Sequence, residues 1–334
     1  MIRRYKWVDY GKGIIITLMV AGHVERAILS LLNTRIVQLL IFDRILYSFH
    51  MAVMFFLSGY LVNDLNIVKY DKEMYMSRII KCMFKLYIPY LIWIYLYWFI
   101  KYFIYAGNEM VSISDLKVLW YTPRWNLWFL YALFVIQLLV LTIRCFTNNC
   151  YIIFSLFLGY YFLYIIYEKI QVSNKIELIG WLSYGVFYSY GMLIRGRNIK
   201  QFSKYVCISS ILLILLAILL NYDDLYIECM LCAGLGISTL MYKLRAYIER
   251  FFSIFGIIGQ YSLEIYICHF IVVRFFTKII IDIGVSNIYI IWISGTFLCL
   301  LFPLMIVFMY TYINPLRWIQ YMFHSYSLLI NRKA

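Results

Sequence analysis

The chain has 334 residues, of which 65% are hydrophobic and only 14% are charged. A soluble domain is about half apolar and about a quarter charged, so this composition indicates a membrane protein. The formal net charge of +14 would suggest nucleic acid binding in a soluble protein. Here the Lys and Arg residues fall in loops between apolar runs, as the positive-inside rule describes, so we expect contact with membrane lipids and no nucleic acid partner.

Apolar runs recur along the whole chain and predict an all-α, polytopic membrane helix bundle with about ten transmembrane helices. The predicted spans are 13–32, 45–63, 82–106, 127–144, 150–167, 179–194, 205–221, 227–242, 261–281 and 288–312. We expect a single integral-membrane domain over residues 1–334, with no fused extracytoplasmic hydrolase-like domain.

The distribution of charge predicts the orientation of this bundle. An even number of spans puts both termini on one side of the membrane. Segment 221–228 carries three acids and no base, whereas segment 195–204 carries four bases and no acid. With the N-terminus in the cytoplasm, the inner segments carry about twice as many Lys and Arg residues as the outer ones. The sequence therefore predicts that both termini are cytoplasmic.

The first apolar run contains polar residues that a membrane helix does not need for insertion. It reads KGIIITLMVAGH from Lys12 to His23, and Asp9 precedes it by one turn. Eleven residues at 100° return to within about 20° of the start, so Lys12 and His23 share a face and lie about 16 Å apart. A charged residue at mid-membrane costs about 2.5–3.5 kcal/mol. This cost indicates either a functional role for His23 or an interhelical hydrogen bond.

Further candidates follow along the chain. His50 enters the second span from the outer side, in a catalytic or a structural hydrogen-bonding role. Arg124 and Trp125 open the fourth span; they could bind an acidic sugar or a lipid diphosphate, or form an ordinary aromatic belt with a snorkelling Arg. Tyr266 and His269 lie on one face of the ninth span, with His269 near mid-membrane, which favours an inward polar role.

The cysteines do not indicate metal chemistry. The chain has eight of them, and the close pair Cys229 and Cys232 has no histidine or second pair beside it. Two small apolar side chains in a span are the simpler interpretation. We therefore expect no metal site.

Four segments together resemble the signatures of the acyltransferase-3 family of integral-membrane O-acyltransferases, in the family's order. They are WVDYGKGIIITLMVAGH (7–23), FHMAVMFFLSGYL (49–61), NLWFLYALF (126–134) and IGQYSLEIYICHF (258–270). The sequence departs from many members in two places. Lys12 stands where many members have Arg, and Asn126 stands where many have His, so position 126 cannot carry a proton here.

The resemblance implies transfer of an acyl group, most simply acetyl from cytoplasmic acetyl-CoA, to a hydroxyl of an envelope glycan or lipid-linked glycan. The location implied is the bacterial cytoplasmic membrane. His23 is the expected base or covalent acyl carrier, with Asp9, His50 and His269 as further catalytic candidates. Lys12 is expected to meet a CoA phosphate or to pair with Asp9.

The remaining candidates concern the acceptor. Arg124, Trp125 and Tyr266 are expected to contact the glycan. A second class of function stays open from composition alone, since glycan flippases, glycan polymerases and small-molecule exporters are also basic, aromatic-rich proteins with many spans. The residues and spacing of the first helix favour the acyltransferase.

The predicted orientation can be tested with reporter fusions. A reporter fused after Asp224 is expected to be active on the extracytoplasmic side, and one fused after Lys200 on the cytoplasmic side, because the inner loops carry the excess of bases. Opposite activities at both positions would contradict cytoplasmic termini.

Overall fold

The computed structural model describes residues 5–62, 71–104, 111–170, 177–195, 204–219 and 225–326. Of the described residues, 86% are helical and none is in a strand, which confirms the predicted all-α class. Most of the basic segment 195–204 and about half of the acidic segment 221–228 lie outside the described residues. The orientation of the bundle therefore stays a prediction.

We number the α-helices of the described residues in chain order. They are α1 (Lys6–Leu32), α2 (Val37–Tyr60), α3 (Lys72–Cys82), α4 (Ile88–Ile104), α5 (Trp128–Ile143), α6 (Cys150–Lys169), α7 (Glu177–Ser183), α8 (Gly185–Arg195), α9 (Lys204–Leu219), α10 (Tyr226–Lys243), α11 (Arg245–Phe251), α12 (Phe255–Gln260), α13 (Ser262–Asp282), α14 (Ile288–Tyr312) and α15 (Gln320–Phe323). A π-helical segment, Met83–Tyr87, joins α3 to α4, and 3₁₀ segments lie at Ile113–Lys117, Trp125–Leu127 and Asn314–Ile319.

Polar side chains define several helix ends. The Asp71 carboxylate accepts from the Met74 N–H at the start of α3, and the Asn149 side chain accepts from the Tyr151 N–H at the start of α6. Asn33 ends α1 in the left-handed conformation, with φ of 48°. These contacts satisfy backbone groups that the helix itself leaves unpaired, which explains why long apolar runs begin and end where they do.

Several of the predicted spans correspond to helices of the described residues. Six helices or continuous helix pairs are long and apolar enough to cross a membrane, and the bent pair α10 and α11 brings the number to seven. The predicted span 179–194 is interrupted at Tyr184, between α7 and α8. The predicted span 261–281 corresponds to α13, which is long enough but carries several charged residues. The total of about ten stays a prediction.

The chain separates into two compact units. The first comprises residues 1–67 and 149–304, and the second comprises residues 68–148 and 305–334. The first unit holds α1, α2 and α6 to α13, with most of α14. The second holds α3, α4, α5 and α15. The expectation of one functional domain over 1–334 stays a prediction.

Glycines set the helix packing in the first unit. A Cβ added to Gly259 of α12 would lie 1.7 Å from the Asp9 carbonyl oxygen of α1, and one added to Gly13 would lie 2.1 Å from the Phe255 carbonyl oxygen. A Cβ at Gly22 would lie 2.6 Å from a methyl carbon of Leu46 in α2. Small residues let helices approach at backbone distance, which is how helices in membranes gain van der Waals contact. α12 and α2 therefore both pack closely on α1.

In the second unit, hydrogen bonds from aromatic side chains link α4 to other parts of the chain. The Tyr90 hydroxyl donates to the Leu119 carbonyl, and the Trp98 indole N–H donates to the Ser112 carbonyl at 3.0 Å. The Trp93 indole N–H donates to the Met322 carbonyl at 3.1 Å. Aromatic residues thus provide hydrogen bonds as well as apolar surface in this unit.

Glycine packing gives a direct test of the fold. Gly59 of α2 meets the Tyr188 carbonyl of α8, where an added Cβ would lie 1.9 Å from the oxygen, whereas nothing lies within 4 Å of a Cβ at Gly159. Gly59→Ala is expected to destabilise the protein by about 1–3 kcal/mol through overpacking. The measurement is the temperature at which the purified protein in detergent loses its monodisperse gel-filtration peak.

Gly159→Ala is the matched control. The same change in α6 is expected to leave that temperature unchanged or raise it, because Ala favours a helix over Gly by about 0.5–1 kcal/mol. Equal stability of the two variants would contradict the close contact between α2 and α8.

Candidate active site

Two histidines from distant parts of the sequence meet in the first unit. His23 of α1 and His269 of α13 have ring centroids 5.1 Å apart, with the ring planes tilted by 40°. His269 is fully buried and His23 is partly buried. The contact arises because α12 packs on α1 near Asp9, and α13 follows directly after Tyr261. The two predicted histidines therefore form a pair.

The backbone fixes the orientation of the buried rings. The Nδ1 of His269 lies 2.9 Å from the Ile265 carbonyl oxygen, and the Nδ1 of His50 lies 2.8 Å from the Leu46 carbonyl oxygen. A carbonyl only accepts, so the neutral ring must carry its proton on Nδ1. The lone pair of each neutral ring is then on Nε2, the atom that can take a proton or attack a carbonyl carbon.

The Nε2 atom of His269 is available for chemistry. It is buried and has no hydrogen-bond partner among the described residues. The Tyr266 ring, also buried, lies 6.3 Å from the His269 ring, as their spacing on one helix face predicts. A neutral imidazole with an unpaired Nε2 in an apolar region is a suitable proton acceptor for a hydroxyl.

An aromatic residue connects His50 to the pair of His23 and His269. The Tyr47 ring of α2 is 4.6 Å from the His50 ring and 6.3 Å from the His23 ring. His50 itself is buried. All three predicted histidines therefore belong to one region of the first unit.

An ion pair lies one turn beyond His23, toward the Leu32 end of α1. Arg26 donates to both carboxylate oxygens of Asp43, at 2.7 and 2.9 Å. Its guanidinium also stacks on the Tyr47 ring, 3.5 Å from the centroid. Bidentate geometry and the contact with the ring make this pair stronger than an ordinary surface ion pair.

Neither Asp43 nor Tyr47 was among the site residues predicted from the sequence. Their signal was nevertheless present, because Asp43, Tyr47 and His50 follow the spacing i, i+4 and i+7, which places them on one helix face. The same spacing relates Ser262, Tyr266 and His269 in α13.

The remaining predicted residues of α1 lie at its other end. Asp9 and Lys12 are partly buried in the first two turns of the helix. Along the helix axis, Lys12 is about 16 Å and Asp9 about 21 Å from His23. Asp9 is therefore too far along the axis for direct contact with the His23 ring, and its predicted catalytic role stays a prediction.

Arg124 and Trp125 belong to the second unit. Arg124 pairs with Asp115 at 3.0 Å, and Lys101 lies 5.0 Å from the centroid of the Trp125 ring. A hydrogen bond from the backbone N–H of Ser112 is the main cause that holds the pKa of the Asp115 carboxyl below its usual value. The positive charge of Arg124 acts in the same direction. Trp125 adopts a positive φ of 58°, which is uncommon for a bulky residue. Contact of Arg124 and Trp125 with an acceptor stays a prediction.

The described residues contain no group of three or more His, Cys, Asp or Glu side chains arranged to hold a metal ion. His23, His269 and His50 thus lie near one another without forming a ligand set. The imidazoles lie within the helices of a polytopic membrane protein, and an arrangement of this kind is chemically capable of proton transfer or covalent catalysis.

Comparison with known families agrees with this class. The chain matches the acyltransferase domain of the acyltransferase-3 family over residues 5–314, and it therefore belongs to that family. It is a membrane acyltransferase, and hence an enzyme, which decides against a flippase, polymerase or exporter without acyl transfer. Neither the curated proteins nor the solved structures give a significant match.

Proposed function

We propose that this enzyme transfers an acetyl group from cytoplasmic acetyl-CoA to a hydroxyl of an envelope or surface polysaccharide sugar. Family membership supports acyl transfer, and the single observation that carries the site is the contact between His23 and His269. The proposed location is the bacterial cytoplasmic membrane, which separates the donor from envelope glycans.

In the proposed reaction, one imidazole of the pair takes the proton of the acceptor hydroxyl as its oxygen attacks the thioester carbonyl. The carbon–sulfur bond breaks as the ester forms, and the proton passes to the departing thiolate to give the CoA thiol. The alternative is attack by an imidazole Nε2 on the thioester carbonyl, which breaks the carbon–sulfur bond and releases the CoA thiolate. The hydroxyl then attacks the resulting acyl-histidine, which gives the ester and frees the imidazole. The Nδ1 contact of His269 with Ile265 prepares Nε2 for either route.

The donor is proposed to enter at the Lys12 end of α1. Lys12 is a charged group close to that end and can pair with a phosphate of CoA as a point charge. About 16 Å separates it from His23 along the helix, a distance that the extended pantetheine arm would cover. The thioester would then lie beside the histidine pair.

Replacing each histidine by Gln tests the catalytic proposal. His23→Gln and His269→Gln are each expected to lower acetyl transfer by about 10²–10⁴-fold, because Gln can hydrogen-bond but cannot carry the proton. The measurement is the acetyl content of purified surface glycan, with membrane abundance of the protein as a second readout.

His324→Gln is the matched control, since the chain has four histidines and His324 lies in the second unit. It is expected to retain normal acetylation. Near-normal acetylation in both His23→Gln and His269→Gln would show that the pair is structural.

Substitution of Lys12 tests the donor end. Lys12→Ala is expected to raise the KM for acetyl-CoA with little change in kcat, whereas Lys12→Arg is expected to behave like the natural protein, because Arg keeps the charge. Lys6→Ala is the control, since Lys6 is an exposed cation at the same end of α1 on another face. An unchanged KM in Lys12→Ala would remove the proposed phosphate contact.

A further inference from the structure

A second polar cluster adjoins the histidine pair and has no role in the reaction described above. It consists of Glu25 and Arg26 of α1 with Asp43 and Tyr47 of α2, and we call it the Glu25 cluster. Along α1, Glu25 and Arg26 lie about 3 and 4.5 Å beyond His23, toward the Leu32 end of the helix. Tyr47 connects the cluster to the pair through its ring contact with His23.

Glu25 is the unusual member of this cluster. Its side chain is fully buried, and neither carboxylate oxygen has a hydrogen-bond partner among the described residues. Its charged neighbours are Asp43 and Arg26. A carboxylate only accepts hydrogen bonds, so Asp43 cannot satisfy Glu25 while both are ionised. Arg26 already donates two hydrogen bonds to Asp43.

Tyr47 adds a second unsatisfied group. Its hydroxyl oxygen is buried without a hydrogen-bond partner among the described residues. Leaving a buried acceptor or donor unpaired is destabilising, and more so for a charged group. Stability alone therefore does not explain why this region keeps both a carboxyl and a phenol between two apolar helices.

We propose that the Glu25 cluster is the acceptor subsite, and that it binds an uncharged, hydroxyl-rich sugar rather than an acidic one. This inference rests on the proposed function. Sugar hydroxyls donate to Glu25 and both donate to and accept from Tyr47. With Arg26 balanced by Asp43, the cluster offers no spare positive charge from that pair for a sugar carboxylate.

The position of the cluster agrees with this assignment. It lies on the side of the histidine pair away from Lys12, so a donor entering at Lys12 and an acceptor bound at Glu25 would meet at His23 and His269. Arg26 is exposed over 48% of its side chain, so the cluster is accessible at its outer edge. With cytoplasmic termini, the Leu32 end faces the envelope, where the glycan is found.

The test uses the purified full-length enzyme, labelled acetyl-CoA, and unacetylated envelope polysaccharide from cells that lack this chain. Glu25→Gln is expected to raise the KM for polysaccharide about tenfold or more, with an unchanged KM for acetyl-CoA. Tyr47→Phe keeps the ring and is expected to raise the same KM severalfold. The unchanged KM for acetyl-CoA shows that each variant is folded.

Glu228→Gln is the matched control, because Glu228 is satisfied by Lys169 at 2.8 Å. It is expected to leave both KM values unchanged. A Glu25→Gln enzyme with an unchanged KM for polysaccharide would overturn the subsite while leaving acetyl transfer intact. A natural enzyme that transfers no acetyl group to the polysaccharide would instead overturn the proposed function, and the subsite with it.

NMR of the acetylated polysaccharide tests the class of sugar. Acetyl groups are expected on neutral or N-acetylated sugars, because the Arg26–Asp43 pair offers no spare positive charge for a carboxylate. Acetyl groups found exclusively on uronic or other acidic sugars would overturn the assignment.

Discussion

The close approach of α12 and α13 to α1 is the contact on which the rest of the first unit depends. Gly259 has no side chain where it meets the Asp9 backbone, and Gly13 has none where it meets Phe255. Helices in lipid gain little from hydrophobic burial against one another, so backbone-distance packing supplies much of their attraction. Because α13 follows α12 directly, this packing also brings His269 beside His23.

A membrane adds a second constraint, since lipid offers no hydrogen-bond partners to a buried polar group. His50 and His269 each place Nδ1 at hydrogen-bond distance from a carbonyl oxygen of their own helix, and Arg26 donates to the Asp43 carboxylate. The Nε2 atom of His269, the carboxyl of Glu25 and the hydroxyl of Tyr47 have no such partner among the described residues. These groups lie in one connected region, and the proposed hydroxyl-rich acceptor would satisfy them.

The sequence predicted the parts of this structure that depend on local pattern. Apolar runs predicted the helices, and helical spacing placed Tyr266 and His269 on one face. The pairing of His23 with His269 could not be predicted from the spacing, because it depends on how α12 packs on α1. The break at Tyr184 was also missed, since the residues on both sides are equally apolar. Asp43 was missed because it precedes the predicted span 45–63, whereas α2 already begins at Val37.

The position of a bound donor tests the central claim most directly. The experiment is a cryo-electron microscopy structure of the enzyme with a non-hydrolysable thioether analogue of acetyl-CoA. We expect the CoA phosphates near Lys12 and the acyl end against the His23 and His269 rings. An analogue bound with its acyl end away from both histidines, for example within the second unit, would show that the histidine pair is not the site of acyl transfer.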